Sequence, residues 1–198
     1  MKKLITGFIA LLILFAACQP AGEQKTANSG DDTEKRVEEL LAKMTLDEKI
    51  GQMNQYTSRW EMTGPAPANA DSMFIYNMIK EGKLGSMLNV TGVAATRKVQ
   101  KLAVDSSRLG IPLILGYDVI HGYKTIFPIP LAEAASWDPE IAKLSAKVAA
   151  DESAAAGLHW TFAPMVDVSR DARWGRVMEG AGEDPYLGSK MAYARVKG

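Results

Sequence analysis

The chain has 198 residues, with 23 basic and 23 acidic side chains and a formal net charge of zero. That balance gives no electrostatic reason to expect nucleic acid or an anionic membrane surface as partner, and the length suffices for one domain of ordinary size. Cys18 is the one cysteine and it lies in the N-terminal leader, so the folded part has no thiol for a disulfide or a metal.

The leader reads as a processing signal. Lys2 and Lys3 precede an apolar run from Leu4 to Ala17, broken only by Thr6 and Gly7. The run is shorter than the roughly 20 residues a membrane-spanning helix needs. A basic start, a short apolar stretch and then small residues make a secretory signal peptide over residues 1–18. Phe15-Ala16-Ala17-Cys18 is similar to a bacterial lipobox, in which the cysteine receives lipid and becomes the new N-terminus. The alternative is cleavage by an ordinary signal peptidase nearby, with Cys18 incidental. The expected product is an exported lipoprotein, anchored to a membrane on the periplasmic or cell-surface side. Residues 19–32 carry Pro, Gly, Ser, Asn and Lys without apolar periodicity and read as a flexible tether. The folded part is expected over 33–198.

Val37, Leu40, Leu41 and Met44 recur at the spacing of one helix face. Thr45 and Glu48 match a capping box, and a second helix follows carrying Ile50 and Met53. Thr57 to Ala70, with Gly64, Pro65 and Pro67, reads as a loop. Asp71 to Glu81 is helical, with Met73, Ile75, Met78 and Ile79 apolar. Leu84 to Val90 suits a buried strand. Ala94 to Leu109 is a helix with Val99, Leu102 and Val104 on its inner side. Ile111 to Tyr117 is a second strand, buried on both faces. Asp138-Pro139 opens a helix carrying Ile141, Leu144 and Val148. Trp160 to Val168 is the third strand, and Asp184-Pro185 opens the last helix.

Strands alternating with helices argue for an α/β fold with a parallel sheet. No Gly-x-Gly-x-x-Gly follows a strand, which leaves a dinucleotide-binding sheet unsupported. The reading is an incomplete (β/α)8 TIM-type barrel, comprising about the first three strand–helix units and preceded by N-terminal helices.

Barrel enzymes place functional residues at the C-terminal ends of strands. Two clusters fall there. The first is Gly116 to Gly122, where Asp118 either faces a cavity or caps the following turn. The second runs from Phe162 through Arg170, Asp171, Arg173, Trp174 and Arg176 to Glu179, Glu183 and Asp184. Planar donors, carboxylates and an aromatic face are what a sugar site needs, although most of these charges belong to a loop-stabilising network on the plainer reading. Trp174 either stacks on a sugar or packs under the loop. His121 and His159 read as hydrogen-bonded packing residues. With no His-x-His or His-Glu-x-x-His, a metal-dependent barrel is disfavoured and no metal or cofactor is expected.

Taken together, these segments carry a resemblance. Tyr117-Asp118-Val119-Ile120-His121-Gly122 resembles the Asp-x-x-His-Gly segment of glycoside hydrolase family 3 β-glucosidases, and Phe127-Pro128-Ile129-Pro130 fits the Phe-Pro segment after it. Phe162-Ala163-Pro164, Arg173-Trp174-Gly175-Arg176 and Gly182-Glu183-Asp184-Pro185 resemble the family's most recognisable stretch, and Leu46 to Met53 resembles its N-terminal helix. The resemblance implies hydrolysis of terminal, non-reducing β-D-glucosyl residues from oligosaccharides or glucosides by a retaining double displacement. It implies that Asp118 and Arg176 bind the sugar, with Trp174, Arg170 and Glu179 near the site. It also implies a nucleophilic Asp in a Ser-Asp-Trp or Ser-Asp-Tyr segment, a Lys-His pair and an acid–base Glu. None of those segments occurs here, so no catalytic residue is expected in this chain, which alone is expected to be inactive and poorly stable. Three alternatives remain: another specificity of the same family, such as a β-xylosidase or exo-glucanase (the Glu-Gly-Gly-rich segment of the N-acetylglucosaminidase branch is absent), a non-catalytic, lipid-anchored glycan-binding remnant, and an unrelated barrel enzyme.

Overall fold

The computed structural model describes residues 29–58 and 72–198. The leader with Cys18 and the Gly64–Pro67 loop lie outside the described residues. The first helix, α1, spans Ser29–Lys43 and forms a unit of its own. It begins four residues before Thr33, and Val37 and Leu41 on it are exposed.

The second unit, Met44–Gly198, alternates helices and strands. Helix α2 (Leu46–Gln52) starts at the expected capping box: the Thr45 Oγ1 accepts from the Glu48 N–H at 3.2 Å, and the Thr45 N–H donates to Glu48 Oε2 at 2.8 Å. Strand β1 (Gln55–Thr57) follows, then α3 (Ser72–Lys80), β2 (Ser86–Leu88), α4 (Val93–Ser106) and β3 (Ile114–Tyr117). A short α5 (Pro130–Ala134) and a long α6 (Pro139–Ala155) lead to β4 (Trp160–Thr161), a 3-10 turn at Val177–Glu179 and α7 (Pro185–Lys197). Asp138 and Asp184 cap α6 and α7 as their Asp-Pro pairs predict: Asp138 accepts from the Glu140 N–H, and Asp184 from those of Tyr186 and Leu187.

The strands form one parallel sheet in the order β1-β2-β3-β4, open at both ends. A parallel sheet with helical crossovers agrees with the barrel-type α/β reading. The strand count does not: β1 is an additional strand, pairing Gln55 with Ser86 and Thr57 with Leu88. Only the first two residues of the expected third strand enter the ladder.

The main core gathers Ile79, Leu84, Met87, Val90, Val99, Ala103, Leu113, Leu115 and Leu158 around the sheet. A second, smaller cluster joins Ala134 of α5, Ala142 of α6, and Met191 and Ala194 of α7. Several apolar residues noted in the sequence are not inside, among them Val104, expected on the inner side of its helix. Ile50, Met53, Met73 and Val104 are exposed, as is Ile114 of β3. On α6, Ile141 and Leu144 face solvent, and the buried stripe is Ala142, Ser145, Ala149 and Ser153. Small side chains let α6 and α7 approach closely, so the buried face of α6 is not its bulkiest one. Gly51 allows a similar approach between α2 and the turn after α3: a Cβ there would lie 2.3 Å from the Gly82 carbonyl oxygen.

Three polar devices tie this unit together. The Arg108 guanidinium reaches Glu48 from the end of α4, with Nε 2.9 Å from Oε1 and Nη2 2.5 Å from Oε2. The Gln100 side chain takes up both backbone groups of Leu113, donating to its carbonyl at 2.6 Å and accepting its N–H at 2.8 Å. Asn89, just past β2, is buried at a positive φ of 64°. Its Nδ2 donates to Thr57 Oγ1 at 3.1 Å, its N–H donates to the Gly116 carbonyl at 3.1 Å, and its carbonyl accepts from the Ser58 hydroxyl. Asn thus links the C-terminal ends of three strands at a backbone conformation it tolerates better than most residues.

Candidate active site

The site lies where β3 and β4 hand the chain to their loops. In β3, Gly116 lies close against Phe162: a Cβ would sit 3.2 Å from that ring, which would have to yield by a few tenths of an ångström and which packs on Trp160 at 4.9 Å between ring centroids. Tyr117 then meets Tyr123 edge-on at 5.8 Å. Asp118 follows directly, half-buried.

The loop after Asp118 is closed on itself. The Phe127 N–H donates to the His121 carbonyl at 2.8 Å, His121 Nδ1 lies 3.0 Å from the Phe127 carbonyl oxygen, and Gly122 bridges to Ile126. Glu152, on α6, holds the tip. It accepts from the Lys124 and Thr125 N–H groups at 2.8 Å each and from the Thr125 hydroxyl at 2.6 Å. Those donors hold its carboxyl below the usual range. His159 is occupied too, its Nδ1 accepting the Leu115 N–H at 3.1 Å.

The second loop leaves β4 through a cis Ala163–Pro164 peptide and is pinched at its base, where the Ser169 N–H donates to the Gly182 carbonyl at 3.0 Å. Within it, Arg173 pairs with Asp171, its Nη2 2.6 Å from Oδ2, and both side chains are largely exposed. Arg176 grips Glu179: Nε lies 3.0 Å from both carboxylate oxygens, and Nη2 lies 2.5 Å from Oε2. Met165 Sδ lies 3.5 Å from the same nitrogen. The guanidinium lowers the Glu179 carboxyl's pKa, and Glu179 in turn raises that of Arg176. Asp167 and Asp118 add to the rise on Arg176, so Asp118, Asp167, Arg176 and Glu179 share one electrostatic neighbourhood.

Asp118 and Arg176, both expected from sequence to bind the sugar, stand on different loops, near enough for the Asp118 charge to act on the guanidinium. Glu179, expected near the site, is the direct partner of Arg176. Trp174, two residues before Arg176, is partly exposed, 38 % accessible. Arg170 is exposed, and nothing pairs with it among the described residues. Asp167 lines a cleft of ≈220 Å³ with Glu179, Ile120, Glu133 and Arg195, and neither Asp118 nor Arg176 is in its wall. Glu133 and Arg195 drew no notice in the sequence, because no motif joins residues 62 positions apart. Among the described residues no group of three His, Cys, Asp or Glu side chains could hold a metal ion.

Chemically, the arrangement offers carboxylate acceptors and a forked donor around one opening, suited to adjacent hydroxyls of a neutral ligand. A periplasmic β-glucosidase of Salmonella typhimurium is 45% identical over 161 residues, covering 81% of this chain and 20% of its own length. A β-xylosidase of Formosa agariphila is 35% identical over 199 residues, covering 100% of this chain and 22% of its own. The crystal structure of a β-glucosidase from Listeria innocua in complex with glucose superposes with a TM-score of 0.68 at 42% identity, covering 82% of this chain and 23% of that one. The chain thus spans about a fifth of the length of the curated relatives it matches. The model of the glycosyl hydrolase family 3 N-terminal domain matches residues 45–198. On that match, the motifs and the shared fold, the chain belongs to glycosyl hydrolase family 3.

Proposed function

We propose that the complete gene product is a retaining β-glucosidase, releasing terminal non-reducing β-D-glucosyl residues, and that this chain supplies part of its sugar-binding pocket. The observation that carries the reading is the placement of Asp118 directly after β3 and of Arg176, held by Glu179, in the loop after β4, within electrostatic reach of each other. A half-buried carboxylate accepts two hydroxyl hydrogen bonds, which favours one hydroxyl stereochemistry. Arg176, oriented by its bidentate contact with Glu179, presents its remaining N–H groups to the sugar. The glucose-bound relative supports glucose as the ligand. The nucleophile and the acid–base carboxyl, about 5 Å apart in a retaining enzyme, come from residues outside this sequence.

A β-xylosidase is the second reading, favoured by the relative of that name which aligns over the whole chain. We also place the protein outside the cytoplasm, attached through lipid on Cys18. The leader and the periplasmic relative support this placement.

The test is steady-state hydrolysis of p-nitrophenyl β-glucoside and β-xyloside by the complete gene product, with the anomer released followed by NMR. The expected result is preference for the glucoside, β-glucose as first product, and a KM at least about tenfold higher in Asp118→Asn and in Arg176→Lys, since one hydrogen bond to a charged group is lost. Preference for the xyloside selects the second reading. Unchanged KM in both variants refutes the assigned pocket.

A further inference from the structure

Outside the groups that face the sugar, one buried ion pair joins both loops of the site. Glu133 sits on α5, immediately after the Asp118 loop, with its side chain 1% exposed. Arg195 sits on α7, which begins where the Arg176 loop ends, with its side chain 9% exposed. Arg195 Nη2 donates to Glu133 Oε2, and Nη1 donates 3.2 Å away to the carbonyl of Ile120, two residues past Asp118. One guanidinium thus fastens the start of the Asp118 loop, through Ile120, to the helix at that loop's end and to the helix that closes the Arg176 loop.

Stability does not account for this pair. A buried ion pair gains little over well-packed apolar side chains of equal volume, because desolvation cancels most of the attraction. Glu133 Oε1 is buried and makes no protein hydrogen bond, which adds to the cost. What the fork supplies that an apolar pair cannot is a fixed distance between one carbonyl and one carboxylate. Ile120, Glu133 and Arg195 line one cleft together with Asp167 and with Glu179, the partner of Arg176, so a shift at Ile120 moves the backbone two residues from Asp118 and the wall that Glu179 shares.

We propose that Glu133 and Arg195 are positioning residues that set Asp118 against Arg176 for sugar binding. The proposal rests on the sugar-binding reading of that pocket. The pair touches no substrate and acts through the Ile120 carbonyl.

The experiment uses the complete gene product in three variants. Arg195→Lys keeps the charge opposite Glu133, but one ammonium cannot reproduce the fork. The double variant Glu133→Leu/Arg195→Met removes both charges and keeps the volume. Asp118→Ala is the control for the pocket. KM for the β-glucoside and Ki for glucose are expected to rise together about tenfold in Arg195→Lys and in the double variant, with kcat changed less than about twofold. Hydrogen exchange at Val119–Phe127 is expected to quicken in both, while β2 keeps its protection. A folded double variant with wild-type KM, Ki and loop exchange overturns the proposal, leaving the pair a packing device. If Asp118→Ala leaves KM and Ki unchanged, the pocket reading has failed instead. Loop exchange then decides whether the pair still fixes the loop: unaltered exchange in both Arg195 variants overturns the proposal whatever the activity.

Discussion

Two glycines inside helices make opposite predictions for one substitution. Gly51 lies in α2 and Gly188 in α7, and neither has a positive φ. Propensity alone says that alanine stabilises each by about 1 kcal/mol. At Gly51 the new Cβ would meet Gly82 O at 2.3 Å, Lys83 Cα at 2.6 Å and Lys83 C at 2.9 Å, all backbone. That turn cannot simply retreat. The Lys83 N–H is bonded to Met78 O and the Gly82 N–H to Ile79 O, while Asn54 Nδ2 donates to the Lys83 carbonyl. Relieving a contact this short takes the upper end of the overpacking range, about 3 kcal/mol, which leaves a net loss of about 2 kcal/mol after the helix gain. At Gly188 a Cβ meets nothing within 4 Å, so the full propensity gain remains. Hydrogen exchange, under conditions where it tracks the opening equilibrium, reads both effects. Gly51→Ala should speed exchange in α2 and β2 about thirtyfold, and Gly188→Ala should slow it in α7 about fivefold, at about 1.4 kcal/mol per tenfold. Unchanged or slower exchange in Gly51→Ala would refute the packing argument.

Acid should loosen α2 through Glu48. Hydrogen bonds from Arg108, and then from the Thr45 N–H, lower its carboxyl pKa from 4.5 to about 2. A carboxyl whose folded pKa is depressed stabilises the fold fully above the unfolded value, and that contribution drains as pH falls toward the folded one. The melting-temperature gap between wild type and Glu48→Gln should therefore be constant above about pH 5 and shrink steadily toward pH 3; a gap independent of pH over that range contradicts the assignment. At the leader, Cys18→Ser should move the protein from the membrane to the soluble fraction on fractionation of the producing cells. Equal membrane association in both forms would rule out the lipid anchor.

Features set by local chemistry were legible in the sequence. The Thr45–Glu48 box and the Asp138-Pro139 and Asp184-Pro185 starts follow from side chains bonding to backbone two or three residues away, and the structure shows each one. Strand β1 was not legible. Gln55-Tyr56-Thr57 has no apolar run, and it is a strand because Ser86–Leu88 stands beside it. The buried face of α6 was not legible for a related reason: Ile141 and Leu144, the bulky residues noted in the sequence, are exposed, and the buried side chains are Ala142, Ser145, Ala149 and Ser153. In the candidate site, Asp118 and Arg176 stood out through motif resemblance and position at strand ends. Glu133 and Arg195 could not, since a buried pair between α5 and α7 leaves no spacing pattern in the chain.

The order of the sheet bears on how the protein is made. Each strand pairs with the one before it: Gln55 meets Ser86, Ser86 meets Ile114, and Gly116 meets Trp160. A strand emerging from a ribosome or an export pore therefore finds its template already outside and never waits for sequence still to come. Growth by addition at one edge keeps loop closures short and adds one fresh ladder of unpaired amides at a time. For a polypeptide threaded across a membrane N-terminus first, such a sheet can assemble in step with delivery.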